Sequence, residues 1–122
     1  MSPDYSRYQF LDIQRRNGIA TLTLNQPDNR NAVHAEMHAE LERVWRDLGS
    51  DREVNVIVFT GAGKTFSAGG DIKRMAARFG TEEGWDHSLH IPKATHRLFE
   101  GMLEVEQPII AAVNGDAVGL GA

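Results

Sequence analysis

Cysteine is absent from this chain of 122 residues, which excludes a disulfide framework, a thiolate zinc site and a cysteine nucleophile. A reducing, cytoplasmic setting is the expected compartment. Extended apolar stretches are also missing: none approaches the roughly 20 residues that a membrane-spanning helix needs, and no apolar segment follows the opening charges as in a secretory leader. Basic excess is lacking as well, since 13 Lys and Arg face 17 Asp and Glu for a net charge of -4. No cationic face is therefore expected to track a nucleic-acid backbone. Internal repeats, low-complexity tracts and a linker between domains are not found. These absences predict one soluble domain without nucleic-acid or membrane partners, and 41% hydrophobic content is enough for its core.

What is present has a readable order. Two β-rich runs, residues 8–14 and 19–24, flank Arg15-Arg16-Asn17-Gly18, where Asn-Gly marks a hairpin because both residues tolerate positive φ. Turn residues and Pro27 fill the loop 25–31. Met37, Leu41, Val44, Trp45 and Leu48 then fall at helical spacing over residues 32–48, with Glu40, Glu42 and Arg43 assigned to the polar side. The near-continuous apolar run 54–59 reads as a buried parallel strand. Beyond it the expectations are a glycine-rich loop over 60–70 and a short helix over 71–79. A polar surface loop through Gly80 and Gly84 to Pro92, a helix over 94–105 and a strand over 109–113 complete the reading. Alternating strands and helices predict an α/β layered core.

Several motifs invite chemistry. Gly61-Ala62-Gly63-Lys64-Thr65 follows a strand as a phosphate loop would, but Val58 stands where that pattern needs its first glycine and no helix pattern begins at Lys64. The glycine clusters also lack dinucleotide-binding spacing. His34 and His38 sit four apart on the first helix, a spacing available to a metal. The residue after His34 is Ala35 rather than the glutamate of the metalloprotease pattern, so both are read as partly exposed helix residues and no metal is assigned. His87, His90 and His96 have no recognisable partner spacing.

More informative are the two glycine segments that follow buried strands, 67–71 and 114–121. Glycine there lets backbone N–H groups face a cleft. Asp71 is placed as an N-cap that leaves the Gly70 amide at the loop mouth, and Gly119 and Leu120 are expected to open a helix whose unpaired amides and dipole favour negative charge. Two converging amides form an oxyanion hole. Two tight strand-to-helix turns would use the same residues.

The ordered set separates these readings. Thr23-Leu24-Asn25-Gln26-Pro27 with Asn31-Ala32, Val56 to Gly61, Phe66-Ser67-Ala68-Gly69-Gly70-Asp71-Ile72, and Pro108 to Gly115 with Gly119 together resemble the enoyl-CoA hydratase/isomerase (crotonase) superfamily across essentially the whole chain. The resemblance implies a crotonase-like spiral of ββα units, with residues 1–122 forming the N-terminal portion of a single domain, truncated before the C-terminal part of the core. It also implies that the amides of Gly70 and Leu120 hold the carbonyl oxygen of an acyl-CoA thioester. Asp28, Asn29 and Arg30, together with Ala68, Gly69, Gly70, Asp71 and Ile72, would lie along the coenzyme A moiety. Arg30 and Lys73 read equally as phosphate contacts or as solvated cations.

Coenzyme A is thereby expected only as part of the substrate, with no prosthetic group. The implied activity is enoyl-CoA hydration, with isomerisation or thioester hydrolysis as alternatives, and the acid-base carboxylates of the family would fall beyond Ala122. Glu36, Glu82, Glu83, Glu104 and Glu106 are read as solvated, and Asp116 as either a turn residue or a cleft residue. Homo-oligomers, trimers or pairs of trimers, or association with a C-terminal half, complete the implied picture. A noncatalytic acyl-CoA-binding fragment and a nucleotide-dependent switch are the competing classes.

Overall fold

A computed structural model describes residues 2–122. Asn17 and Gly18 take φ values of 52° and 82°, both in the left-handed region that a two-residue hairpin turn demands. They join β1 (Leu11–Arg16) to β2 (Ile19–Leu24) in antiparallel register from Arg16 opposite Ile19 to Leu11 opposite Leu24. Ala20, Leu22 and Leu24 of β2 are buried while Ile19 is exposed. The alternation in the sequence thus sorts one face inward.

Each later unit adds a strand to this sheet and another beside it. The strand β3 (Val56–Gly61) pairs parallel with β2, and β5 (Ile109–Ala111) pairs parallel with β3, giving the order β1-β2-β3-β5. Between them the chain turns aside into β4 (Thr65–Ser67), and after β5 into β6 (Asp116–Ala117); these two pair parallel as a second small sheet. A spiral of ββα units results. The sequence pattern assigns β4 to a continuous loop and β6 to a turn, because strands of three and two residues carry too little alternation to register.

Helix α1 (Ala35–Ser50) buries Met37, Leu41, Val44, Trp45 and Leu48 against the sheet, as their spacing predicts. It starts three residues later than the pattern suggests, because the amide of Val33 is held by the Gly69 carbonyl at 2.7 Å in a bridge that pairs Val33 with Gly70. Glu40 corrects the expected polar side. Its side chain is buried, and its carboxylate accepts the amides of Gln9 and Phe10 at 2.7 and 2.9 Å. It thereby satisfies backbone donors that the chain exposes before entering β1.

Helix α2 (Ile72–Arg78) begins where the sequence places it, with the Asp71 carboxylate accepting the Arg74 amide at 3.2 Å. The next segment overturns an expectation: instead of a surface loop, α3 runs from Glu82 to Glu104, straight through Pro92. Thr81 caps it by accepting the Gly84 amide at 2.9 Å, and Glu82 and Glu83 complement the dipole of its first turn. Gly84 is a packing glycine and not a loop marker, since a Cβ there would overlap the Arg78 carbonyl. Tertiary contact sustains the helix despite its proline. Leu98 is buried, Arg97 pairs with Glu42 at 2.9 Å, and Gly101 lets α3 approach the Trp45 side chain.

Asp51, at the end of α1, ties the N-terminal segment to the core. Burial raises its carboxyl pKa, but the Glu53 amide at 3.0 Å, the Tyr5 hydroxyl at 2.9 Å and Arg15 at 2.8 Å outweigh burial, and the net displacement is downward from 3.8. A carboxyl depressed by folding contributes stability above its unfolded value and loses it as pH falls through the folded value. The urea midpoint of the chain is therefore expected to drop more steeply below about pH 4 than that of Asp51→Asn. Parallel acid limbs for the two proteins would contradict this.

Candidate functional site

The site is built by two asparagines and a serine that fasten loops to one another. Asn31 sits at φ 53°, a conformation that asparagine tolerates better than most residues. Its buried side chain accepts the Gln26 amide at 2.8 Å and donates to the carbonyls of Ala62 and Thr65 at 2.9 and 2.8 Å. Asn114 does the same on the other side, donating to the Gly63 carbonyl at 2.9 Å and accepting the Gly61 amide at 3.2 Å. The loop over 25–31, the β3–β4 turn and the chain after β5 become one rigid rim.

Ser67 joins that rim to the glycine segments. Its buried hydroxyl donates to the Asn31 carbonyl at 2.8 Å and accepts the Gly69 amide at 3.1 Å. Its carbonyl accepts the Val118 amide at 3.0 Å. Gly69 then passes so close to the second segment that a Cβ would overlap the Val118 carbonyl and reach 3.3 Å from the Leu120 nitrogen. The two glycine segments therefore lie side by side. Gly119 to Gly121 form a short 3-10 turn.

Gly70 and Leu120 line one cavity of about 980 Å³, bounded by the start of α1, by α2 and by the first half of α3. Among the described residues neither amide donates a hydrogen bond to protein. Met75, Phe79, Trp85 and Ile91 give the cavity apolar walls, and Arg74 and Arg97 stand at its border. Both arginines are engaged: Arg74 with Glu36 at 2.8 Å and Arg97 with Glu42 at 2.9 Å. Glu36 is held below the usual carboxylate range by its own backbone amide first and by Arg74 after it, against desolvation.

The remaining sequence-predicted residues divide. Asp71 lines the cavity with Gly70 and Leu120. The Ala68 amide donates to the Arg30 carbonyl at 3.0 Å, which brings the 3-10 turn carrying Asp28 and Asn29 alongside the first glycine segment. Asp28, Asn29, Arg30, Ala68, Gly69 and Ile72 are not part of the cavity wall. Ile72 and Lys73 are exposed on α2, and Asp116 is exposed on β6.

The first histidine expectation is corrected. His34 is not a partly exposed helix residue: it is 4% exposed and caps α1 by accepting the Met37 amide. His38 is half-buried and contacts Glu42 at 3.2 Å and Thr95 at 3.3 Å. Lys64 begins no helix, since β4 follows at Thr65, so a phosphate loop has nothing to anchor it. Sequence reasoning also misses the contribution of α3. The available signal is Thr81 followed by Glu82 and Glu83, a helix start that the nearby glycines and Pro92 obscure.

Strands shared out between two sheets by successive ββα units, with glycine segments meeting over a cavity, define the crotonase class. A solved enoyl-CoA hydratase/isomerase from Mycobacterium paratuberculosis matches with a TM-score of 0.81 and 33% identity, over 96% of this chain and 46% of its own. The enoyl-CoA hydratase/isomerase family model matches residues 14–122, and the chain belongs to that family. It is 34% identical to the short-chain-enoyl-CoA hydratase of Clostridium acetobutylicum over 89% of this chain, and 33% identical to the 1,2-epoxyphenylacetyl-CoA isomerase of Escherichia coli over 86% of it. The chain spans 40% of the length of each of these two relatives.

Proposed function

We propose that residues 1–122 are the N-terminal portion of a single crotonase-like domain that binds an acyl-CoA thioester and holds its carbonyl oxygen between the amides of Gly70 and Leu120. One observation carries the reading: both residues line the same apolar-walled cavity, with amides that no described protein group accepts. Adding water beside a thioester carbonyl, or moving a proton there, pushes negative charge onto that oxygen. Preorganised donors stabilise the charge, and losing one typically raises the barrier by about 3 kcal/mol. The coenzyme A portion runs past Ala68 and the Asp28–Arg30 turn, where Arg30 is available to phosphate.

Hydration of an enoyl-CoA is the proposed reaction of the whole protein, and the relative from E. coli keeps isomerisation as the second reading. Coenzyme A enters as part of the substrate. Among the described residues, no helix is long and apolar enough to cross a membrane, and a cytoplasmic enzyme is our reading. Acid-base carboxylates are not assigned within the chain, since Glu36 and Glu42 are committed to arginines. Ile110 on β5 and Val113 and Val118 after it stand exposed. We assign that apolar surface to further layers of the domain or to neighbouring subunits of a homo-oligomer.

The test uses crotonyl-CoA carrying a ¹³C label at the thioester carbonyl. Binding is expected by calorimetry, with the carbonyl infrared band moving to lower wavenumber as the two amides polarise it. Loss of the conjugated enoyl absorbance would add hydration, whereas binding without turnover favours the noncatalytic reading of this chain. A folded chain that does not bind, or a bound ligand with an unmoved carbonyl band, removes the assignment.

A further inference from the structure

We propose that His34 is a ligand-binding residue whose Nε2–H donates to an oxygen at the thioester-bearing end of the acyl group, an assignment that rests on the acyl-CoA reading of the cavity. His34 follows Val33, which bridges Gly70, so the ring stands one residue from the first glycine segment. It is 4% exposed and is one of the residues that line the cavity with Gly70 and Leu120.

The ring's own hydrogen bond fixes which nitrogen carries the proton. Nδ1 accepts the Met37 amide at 3.0 Å, so in the neutral imidazole the hydrogen resides on Nε2. Glu36 Oε2 also lies 3.1 Å from Nδ1, but that carboxylate takes Arg74 at 2.8 Å and is half exposed, so it does not require a proton on Nδ1. The Phe10 ring stands edge-on to the imidazole, with centroids 4.5 Å apart at 85°, and with the cap it fixes the ring orientation. Nε2 makes no hydrogen bond to a described residue, and it is not among the enclosed unpaired polar atoms, which are Gln26 Oε1, Trp45 Nε1 and Gln107 Oε1, so it stays within reach of an acceptor that enters the cavity.

The choice of residue is the second part of the argument. Ser, Thr, Asp and Asn are the preferred caps, and each would hold the Met37 amide without bringing a second polar nitrogen to the cavity wall. A donor so placed is open to an acceptor that enters the cavity. An acyl-thioester oxygen beside the Gly70 amide is such an acceptor.

His34→Ser and His34→Asn separate the two roles, because each keeps a cap oxygen for Met37 and removes Nε2–H. Both are expected to keep a melting temperature close to that of the parent and the parent's affinity for free coenzyme A. Affinity for butyryl-CoA should fall roughly 3- to 10-fold, the range of one net hydrogen bond. Variants that bind butyryl-CoA as tightly as the parent, or that lose both ligands together with stability, overturn the proposal. A readout on the unsubstituted chain guards against unfolded variants: the His34 Nε2 resonance should move with butyryl-CoA and stay in place with coenzyme A. A stationary resonance with butyryl-CoA bound overturns the proposal alone, while a parent that binds neither ligand overturns the acyl-CoA reading and this one with it.

Discussion

Gly69→Ala is expected to destabilise the chain by on the order of 3 kcal/mol and to weaken acyl-CoA binding roughly 100-fold. Two effects add. Gly69 sits at φ 83°, where any L side chain costs about 1–2 kcal/mol. The new Cβ would also overlap the Val118 carbonyl, which is backbone and cannot rotate away. Relief requires the two glycine segments to separate, and that movement takes the Leu120 amide away from Gly70. Gly119→Ala is the matched control, because Gly119 has φ 56° with open space where the methyl would stand; it should show only the conformational cost of about 1–2 kcal/mol. Urea unfolding with butyryl-CoA titration of both variants decides the point. Equal losses at the two positions would mean that the segments are not clamped together.

Asn31→Leu should be comparably damaging, at about 4 kcal/mol, although it introduces no clash of backbone with backbone. The substitution keeps the branched side-chain outline but strands three part-buried backbone groups: the Gln26 amide and the carbonyls of Ala62 and Thr65. Each unpaired group costs about 1–3 kcal/mol, so the sum outweighs the gain from burying leucine. Asn31→Asp gives a second signature. It retains an acceptor for Gln26 but faces two carbonyl oxygens with a carboxylate, so the protonated form is favoured in the folded state. A carboxyl raised by folding supports stability below its unfolded value and loses that support as pH rises. Asn31→Asp should therefore approach the parent near pH 4 and fall away from it toward pH 7, where the parent is held by an uncharged amide. A pH-independent gap in denaturant midpoint would show that the asparagine donors do not matter.

The legible parts of this protein are those whose cause is local. Asn17-Gly18 announces a hairpin because the turn needs two residues at positive φ, and that requirement is met within the dipeptide itself. The stripe from Met37 to Leu48 announces α1 because its spacing is the helix repeat. Glu40 defeats the same logic: its neighbours in sequence are helix residues, while the amides it satisfies lie some thirty positions earlier. The segment from Gly80 to Pro92 defeats it again. Glycine and proline there signal a loop, yet Gly84 fits against Arg78 and α3 gains its hold on α1 from Leu98 and Gly101, more than a dozen residues further on.

The site divides along the same line. Glycine after a buried strand marks the two segments, because a residue without a Cβ leaves neighbouring backbone amides unobstructed, and the resemblance carried by the ordered motifs nominates Gly70 and Leu120 within them. That the two segments share a cavity was decided by the pairing of β4 with β6, by Ser67 and by the close pass of Gly69 over Val118. The burial of His34 and the orientation of its ring were decided there as well. Backbone preference acts between adjacent residues and can be read from their order. A meeting of loops about fifty positions apart depends on hydrogen bonds and packing that exist only once the chain has folded.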